Sequence, residues 1–470
     1  MVGLLSLLAC NGDRLPAGDP VRPDVILVSI DTLRPDHLGA YGYARSTSPF
    51  LDSLAASGLR YTEARSHSPW TLPSHVTMLS GRSPLDHAVI EADRRIPDDL
   101  PLVQEAFAAA GFATAGFVST IFVSDAYGFG RGFDRYEDFN IAQEDNLQHT
   151  VRAEKVVNEA LAWAHQQSDK PIFLFVHLYD VHYPYLPPEP WNYQFDKPGS
   201  RKSTRYRNYE FYKAKPLPAE RMDHLRAQYD ESLAYADAQL ARLGDAWAQS
   251  GRKVSWVVTS DHGEEFGERG SWGHAHTLYP EVMRVPLLVS GAAVSSPAVR
   301  HDRVGTVDVA ATLAGLAGLE FASAGVDVRG DVPERDHVFE TSRFDTARLG
   351  LLSGNRRIDV DFERDRIDVF HVERDPAEKI VTLDSDPALE QRLYALLGEP
   401  WSTAETVISP GWMLSGGKRV DHRFEGPGRF AVYPQDSAIT GATTRATPLP
   451  EKVVLSGETR AQLKALGYEQ

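Results

Sequence analysis

Asp31, Thr71 and the adjacent pair Asp261-His262 supply carboxylates, a hydroxyl and an imidazole. Hard divalent cations take such oxygen donors, with a nitrogen ligand added for the transition metals. Thr71 stands in SPWTLPSHVTMLSGR, residues 68–82. Pro73 suits a first helical turn and Gly81 a helix stop, so a short helix is expected over about 73–80, with Thr71 just ahead of it. Free N–H groups and the positive end of the dipole would then face any anion held beside Thr71. A hydroxyl attacks phosphorus or sulfur only as an alkoxide, and coordination to a divalent metal makes that form accessible near neutral pH. Thr71 would therefore be metal ligand and nucleophile together.

Taken singly, each residue has a plainer use. Thr71 suits an N-cap, Asp31 a strand-end cap, Asp261-His262 a capped turn, and His182 a packing histidine. Their convergence argues otherwise. The apolar runs Val25–Ile30, Ala113–Val118, Ile172–Val176, Val254–Val258 and Val285–Val289 read as strands buried on both faces of a parallel sheet. Helical patterns lie between them, at about 48–57, 102–110, 150–166 and 219–249, and residues 306–318 read as a last helix. That alternation predicts a doubly wound α/β sheet. Three of the strands run straight into Asp31, into His177, Asp180 and His182, and into Asp261-His262. In such sheets the ligand crevice lies at the carboxyl ends of the strands.

The domain reading follows from texture. Residues 1–22 read as a signal segment and linker, 23–330 as the catalytic α/β domain and 331–400 as a small α+β subdomain. Residues 401–470 read as an irregular tail with a short helix near 458–466. The 470 residues carry 49 Lys and Arg against 65 Asp and Glu, a net charge of −16. Such a chain is a poor generic binder of nucleic acid, and none is expected as a partner. The run RKSTRYRNYEFYKAK at 201–215 is the local exception, read as a surface insertion that could act as a lid or substrate-access loop. With Cys10 the one cysteine, no intrachain disulfide or thiolate cluster is possible.

The opening MVGLLSLLAC is too short to span a bilayer. It resembles the lipobox of bacterial lipoproteins, although the positive n-region is missing. Export to the periplasm or cell envelope is the expectation, with membrane attachment through lipid on Cys10.

Several segments together resemble the sulfatase family of the alkaline-phosphatase superfamily. They are VILVSIDTLRPDHLGAYGYARSTSPFLDSLAASGLRY, TLPSHVTMLSGRSP, FLFVHLYDVHYPYLPP and SDHGEEFGERGSWGHAHTLYPEVMRVPLLVSG. VDVAATLAGLAGL and DVFHVERDPAEK follow, all in family order over about residues 23–385, with a weaker match at LKALGY. The resemblance implies an alkaline-phosphatase-like, mostly parallel doubly wound sheet with a smaller C-terminal subdomain. It implies a hydrolase of small anionic phosphate, phosphonate or sulfate esters holding one divalent ion, whether Ca, Mg, Mn or Zn. Asp31, Asp261, His262 and Thr71 fall at metal-ligand positions, and Thr71 at that of the nucleophile. His182 matches a histidine contacting the sulfuryl or phosphoryl oxygens. His274 or His276 matches the group that binds the anion or protonates the leaving oxygen. His75 and His177 are candidate substrate contacts, with His177 and Asp180 alternatively supporting the ligands.

Two departures stand out. Formylglycine sulfatases carry Cys or Ser where this chain has Thr71, and Arg where it has His75, so no formylglycine is expected. The second Asp of the usual pair is Thr32. Threonine nucleophiles resemble instead the nucleotide phosphodiesterases and the phosphoethanolamine or lipoteichoic-acid transferases of the superfamily. A phospho-group transferase and a non-catalytic anion-binding protein are the alternatives.

Overall fold

The computed structural model describes Leu15, residues 22–140, 151–196, 217–341, 343, 348–361 and 366–382, with short stretches beyond. Cys10 and its apolar run, the 201–215 insertion and most of the expected helix near 458–466 lie outside the described residues.

The strands are β1 (Asp24–Ile30), β2 (Leu59–Arg65), β3 (Ala113–Phe117), β4 (Arg135–Glu137), β5 (Ile172–Leu178) and β6 (Val254–Thr259). A two-residue hairpin follows, β7 (Glu265–Phe266) and β8 (Trp272–Gly273), then β9 (Leu287–Gly291) and β10 (Ala298–Gly305). Eight of them form one sheet in the order β10-β2-β9-β6-β1-β5-β3-β4. β1 pairs in parallel with β5 and β6, and each residue of β1 and β5 is buried. Covering both faces is what lets a strand dispense with polar alternation; each fully buried Val, Leu, Ile or Phe contributes about 1.5–3 kcal/mol.

The sheet is mostly parallel, as expected, with one correction. β9, read above as another parallel strand, runs antiparallel to both β2 and β6. An apolar run has no direction, and burial on both faces serves either orientation.

The longer helices among the described residues are α1 (Pro49–Ala56), α2 (Thr71–Ser80), α3 (Val103–Ala109), α4 (Ala153–Ala164), α5 (Ala219–Ser250) and α6 (Val309–Ala317). α1, α4 and α5 pack together, and α2, α3 and α6 form a second group, with α4 and α6 both reaching the sheet. α2 begins at Thr71 rather than near Pro73, so Thr71 is its first residue. Pro73 still falls in the first turn, where its missing N–H costs no helical bond. Gly81 ends the helix at φ +63°, a left-handed position that glycine takes without strain.

Beyond the main sheet, β11 (His337–Thr341), β12 (Arg348–Ser353), β13 (Arg356–Asp361) and β14 (Arg366–His371) form an antiparallel meander. Three further short strands, 406–409, 412–415 and 418–421, pair antiparallel within the stretch that reads as irregular.

Candidate active site

The crevice lies where β1, β5 and β6 end, and α2 packs across it. Asp31 follows β1, and its N–H donates to the Leu178 carbonyl at 2.9 Å, which holds the ends of β1 and β5 level. Thr32 takes a left-handed φ of 56°, unusual for a β-branched residue. Its hydroxyl donates to the Val181 carbonyl at 2.9 Å and its N–H to Asp261 Oδ1 at 3.3 Å. Thr32 therefore ties three loops together while its own oxygen is turned to a backbone partner.

Each carboxylate has one oxygen tied and one left over. Asp261 Oδ1 accepts from the N–H of His262 at 2.9 Å. Asp31 Oδ2 accepts from the Thr71 hydroxyl at 3.5 Å and lies 3.4 Å from His177 Nε2. Asp31 Oδ1, Asp261 Oδ2 and His262 Nε2 are buried and have no hydrogen-bond partner. His262 Nε2 lies 3.3 Å from Asp261 Oδ2 and 3.7 Å from Asp31 Oδ1. Nδ1 of His262 donates to the Gly263 carbonyl at 2.9 Å, which leaves the lone pair on Nε2, as a ligating imidazole requires.

The electrostatics agree. Burial and then the Asp261 charge push the Asp31 carboxyl well above its ordinary range. Burial opposes charge on the His262 ring, yet Asp261 and Asp31 push its pKa up. Two buried carboxylates facing one lone pair lack a cation, and the donor set of two oxygens and one nitrogen fits a divalent ion. Among the described residues, Asp31, Asp261 and His262 form the one such cluster.

The histidines divide by environment. His182 stacks on Tyr179 with ring centroids 4.1 Å apart, its Nδ1 donating to the Tyr183 carbonyl and its Nε2 accepting from the Tyr179 hydroxyl at 3.1 Å. Burial lowers its pKa to about 3. His274 lies 4.5 Å from the His262 ring and 4.9 Å from that of His182, and its Nδ1 meets Glu264 Oε1 at 2.9 Å. His276 turns the other way. Its Nε2 is 3.0 Å from the Ser271 hydroxyl and 2.9 Å from Glu265, and its Nδ1 donates to the His274 carbonyl. Geometry therefore brings His274, and not His276, to the crevice.

His75 and His177 are wholly buried. His75 donates from Nδ1 to the Thr71 carbonyl at 2.9 Å and accepts at Nε2 from the Ser29 hydroxyl at 2.9 Å. Both nitrogens being spent on the protein, His75 presents nothing to a substrate, contrary to the expectation for it. His177 Nδ1 accepts weakly from the Ser119 N–H at 3.5 Å and its Nε2 faces Asp31, which suits ligand support. Asp180 accepts from the Ala153 N–H at 2.9 Å, at the start of α4, and stands apart from the carboxylate cluster.

Two functional candidates escape sequence reading. Glu264 holds His274 through Oε1 and accepts from Tyr185 through Oε2 at 2.9 Å. Ser29 sits inside an apolar strand as its one hydroxyl.

Comparison with known proteins gives the family and the fold. A family model described as Sulfatase matches residues 23–319. Arylsulfatase A from Homo sapiens is 24% identical over 363 residues, covering 65% of this chain and 66% of that enzyme. Arylsulfatase A from Bos taurus is 36% identical over 117 residues, covering 24% of this chain and 23% of its own length. A low-salt glycan biosynthesis sulfotransferase of Haloferax volcanii is 23% identical over 329 residues, covering 68% and 67%. These stretches span at most about two thirds of the relatives. Among solved structures, the phosphonate monoester hydrolase of Agrobacterium radiobacter superposes with a TM-score of 0.63 at 18% identity, over 86% of this chain and all 100% of that one. A 2-O GAG sulfatase gives 0.62 at 18% identity, over 79% and 89%.

Proposed function

Because the chain belongs to the sulfatase family, we propose that it is a metal-dependent hydrolase of phosphate, phosphonate or sulfate esters, with Thr71 as nucleophile. One observation carries the reading: three orphaned buried ligand atoms meet beside a hydroxyl that heads a helix.

Asp31, Asp261 and His262 would hold the ion. Bound there, a divalent ion lowers the pKa of a neighbouring hydroxyl and offsets charge on the ester oxygens. Thr71 Oγ1 forms the new bond to phosphorus or sulfur as the bond to the leaving oxygen breaks, and its proton departs with the alcohol. The first-turn N–H groups of α2 lack helical partners, and the N-cap Trp70 supplies no side-chain acceptor, so they remain for the anion. His274 flanks that position, and the His182 ring packs 4.9 Å from that of His274 with both of its nitrogens held by Tyr183 and Tyr179. Glu264 keeps the His274 proton on Nδ1, so Nε2 can accept a proton from the water that opens the Thr71 ester. Thr71 and His75, standing where formylglycine enzymes carry Cys or Ser and Arg, favour phosphorus esters over sulfate. The neighbour titled a phosphonate monoester hydrolase points the same way.

Transfer to an alcohol in place of water is the second reading, favoured by the relative named as a sulfotransferase. Turnover of p-nitrophenyl phosphate, bis(p-nitrophenyl) phosphate, p-nitrophenyl phenylphosphonate and p-nitrophenyl sulfate, each with added Ca, Mg, Mn or Zn, separates these readings. Thr71→Ala should lose about a thousand-fold in kcat. Full turnover by that variant would refute the nucleophile. An added alcohol that captures the group in preference to water would favour the transferase.

The run ending at Cys10 supports export and lipid attachment at that cysteine. Labelled palmitate should enter the wild type and not Cys10→Ser; equal labelling of both would exclude it.

A further inference from the structure

Strand β1, with Asp31 directly after its last residue, and helix α2 meet along two rungs. At one, the Ser29 hydroxyl donates to His75 Nε2 at 2.9 Å; at the other, the Thr71 hydroxyl donates to Asp31 Oδ2 at 3.5 Å. Residues two apart on a strand face the same side, separated by about 6.6 Å, and residues four apart on a helix face the same side, separated by about 6 Å. The two spacings nearly coincide, so a single registration of α2 against β1, the helix running opposite to the strand, satisfies both rungs. His75 adds a third link, since its Nδ1 donates back to the carbonyl of Thr71 itself at 2.9 Å. The neighbouring Ser74 hydroxyl donates to the Asp261 carbonyl at 2.6 Å, fixing the same helical turn to the segment that follows β6.

We propose that Ser29 and His75 form a positioning pair that sets the height of Thr71 above Asp31. This rests on the reading of Thr71 as nucleophile. The pair acts through Thr71 as positioning residues, with His75 Nδ1 also 3.6 Å from Asp261 Oδ2. It has a chemical logic. Ser29 is buried, and its hydroxyl would be costly there without an acceptor; a neutral imidazole supplies that acceptor and, from its other nitrogen, a donor to the helix. A residue with one polar end would make only one of the two links. The Thr71 hydroxyl thereby depends on a contact four residues away in sequence and two residues back along the partner strand.

Ser29→Ala, His75→Asn and His75→Gln test this. The Asn amide overlays Nδ1 and keeps the Thr71 link; the Gln amide overlays Nε2 and keeps the Ser29 link. Three measurements apply to each: kcat and KM with bis(p-nitrophenyl) phosphate, hydrogen exchange of the α2 amides from Ser74 onward, and melting temperature. Ser29→Ala should lower kcat about ten- to a hundred-fold with KM within about two-fold. It should also raise exchange at the hydrogen-bonded α2 amides from Ser74 onward while protection of β1 and β6 stays unchanged. Each His75 variant should fall between wild type and the double variant Ser29→Ala/His75→Ala. Wild-type kcat and wild-type exchange in a folded Ser29→Ala would overturn the proposal, as would kcat losses at the two positions that simply multiply. Thr71→Ala runs beside them: if it retains full turnover the nucleophile reading has failed, and if it is inactive while Ser29→Ala behaves as wild type, the positioning pair alone has failed.

Discussion

Glu264 Oε1 accepts a hydrogen bond from His274 Nδ1 at 2.9 Å, and this fixes which nitrogen of His274 faces the crevice as a lone pair. Glu264→Gln presents an amide that can donate to Nδ1 and reverse the tautomer. The expected result is a ten- to hundred-fold loss in kcat, roughly the scale of other supporting-residue losses, with KM little changed. An unchanged kcat would show that His274 does not exchange a proton during turnover.

Metal removal should act on stability as well as activity. Asp31 and Asp261 are left facing each other without a cation, and burial raises the cost of their charges. After exhaustive chelation the melting temperature should drop and turnover should vanish, both returning with added divalent metal. Asp261→Asn should need roughly ten-fold more metal, or higher still, for half-maximal turnover. A chelated protein that melts and turns over like the untreated one would exclude a functional ion.

Acid should unfold the protein through histidines that are buried neutral. His87 is one remote from the crevice: its Nδ1 accepts from the Val89 N–H at 3.0 Å and its Nε2 meets the Thr77 hydroxyl at 3.1 Å. Burial lowers its pKa to about 3. The unfolded chain takes up that proton near pH 6.5 and the folded chain does not, so stability is full above pH 6.5 and declines as pH falls towards 3. At pH 5 the loss from this one ring is about 2 kcal/mol. Melting temperatures of His87→Gln should depend less steeply on pH between 4 and 6.5; identical slopes would contradict this.

The small sheet is clamped to the large one by buried ions. Arg65, ending β2, donates to Glu378 at 3.2 Å; Arg357 on β13 also engages Glu378, and it donates to Asp359 at 2.9 Å. Glu378→Ala leaves two buried guanidiniums short of a partner and should cost about 3–5 kcal/mol, read as a lower urea midpoint. A midpoint equal to wild type would show that the clamp is not stabilising.

What the sequence disclosed follows from what each residue type reveals. Strands β1, β5 and β6 are legible because they are buried on both faces and apolar throughout. β2 and β10 are not. LRYTEAR and AVRHDRVG carry charges along partly exposed faces, so neither shows a continuous apolar run. Asp31, Asp261 and His262 stand out as polar residues ending apolar strands. Ser29 does not, because a serine inside VILVSI looks like strand filling until its partner 46 residues away is known. Glu264 hides beside Glu265, and only the fold shows that one holds His274 and the other meets His276. His274 and His276 themselves are two residues apart, with Ala275 between them at φ +72°, a backbone turn that no spacing rule reveals.

The central claim is that Thr71 carries the transferred group. Rapid acid quench during turnover of bis(p-nitrophenyl) phosphate or p-nitrophenyl sulfate, followed by peptide mass analysis, reads this directly. The account predicts a peptide containing Thr71 heavier by one substituted phosphoryl or sulfuryl group, absent from Thr71→Ala. An active enzyme whose Thr71 peptide stays unmodified at every quench time, with Thr71→Ala turning over as wild type, would contradict it.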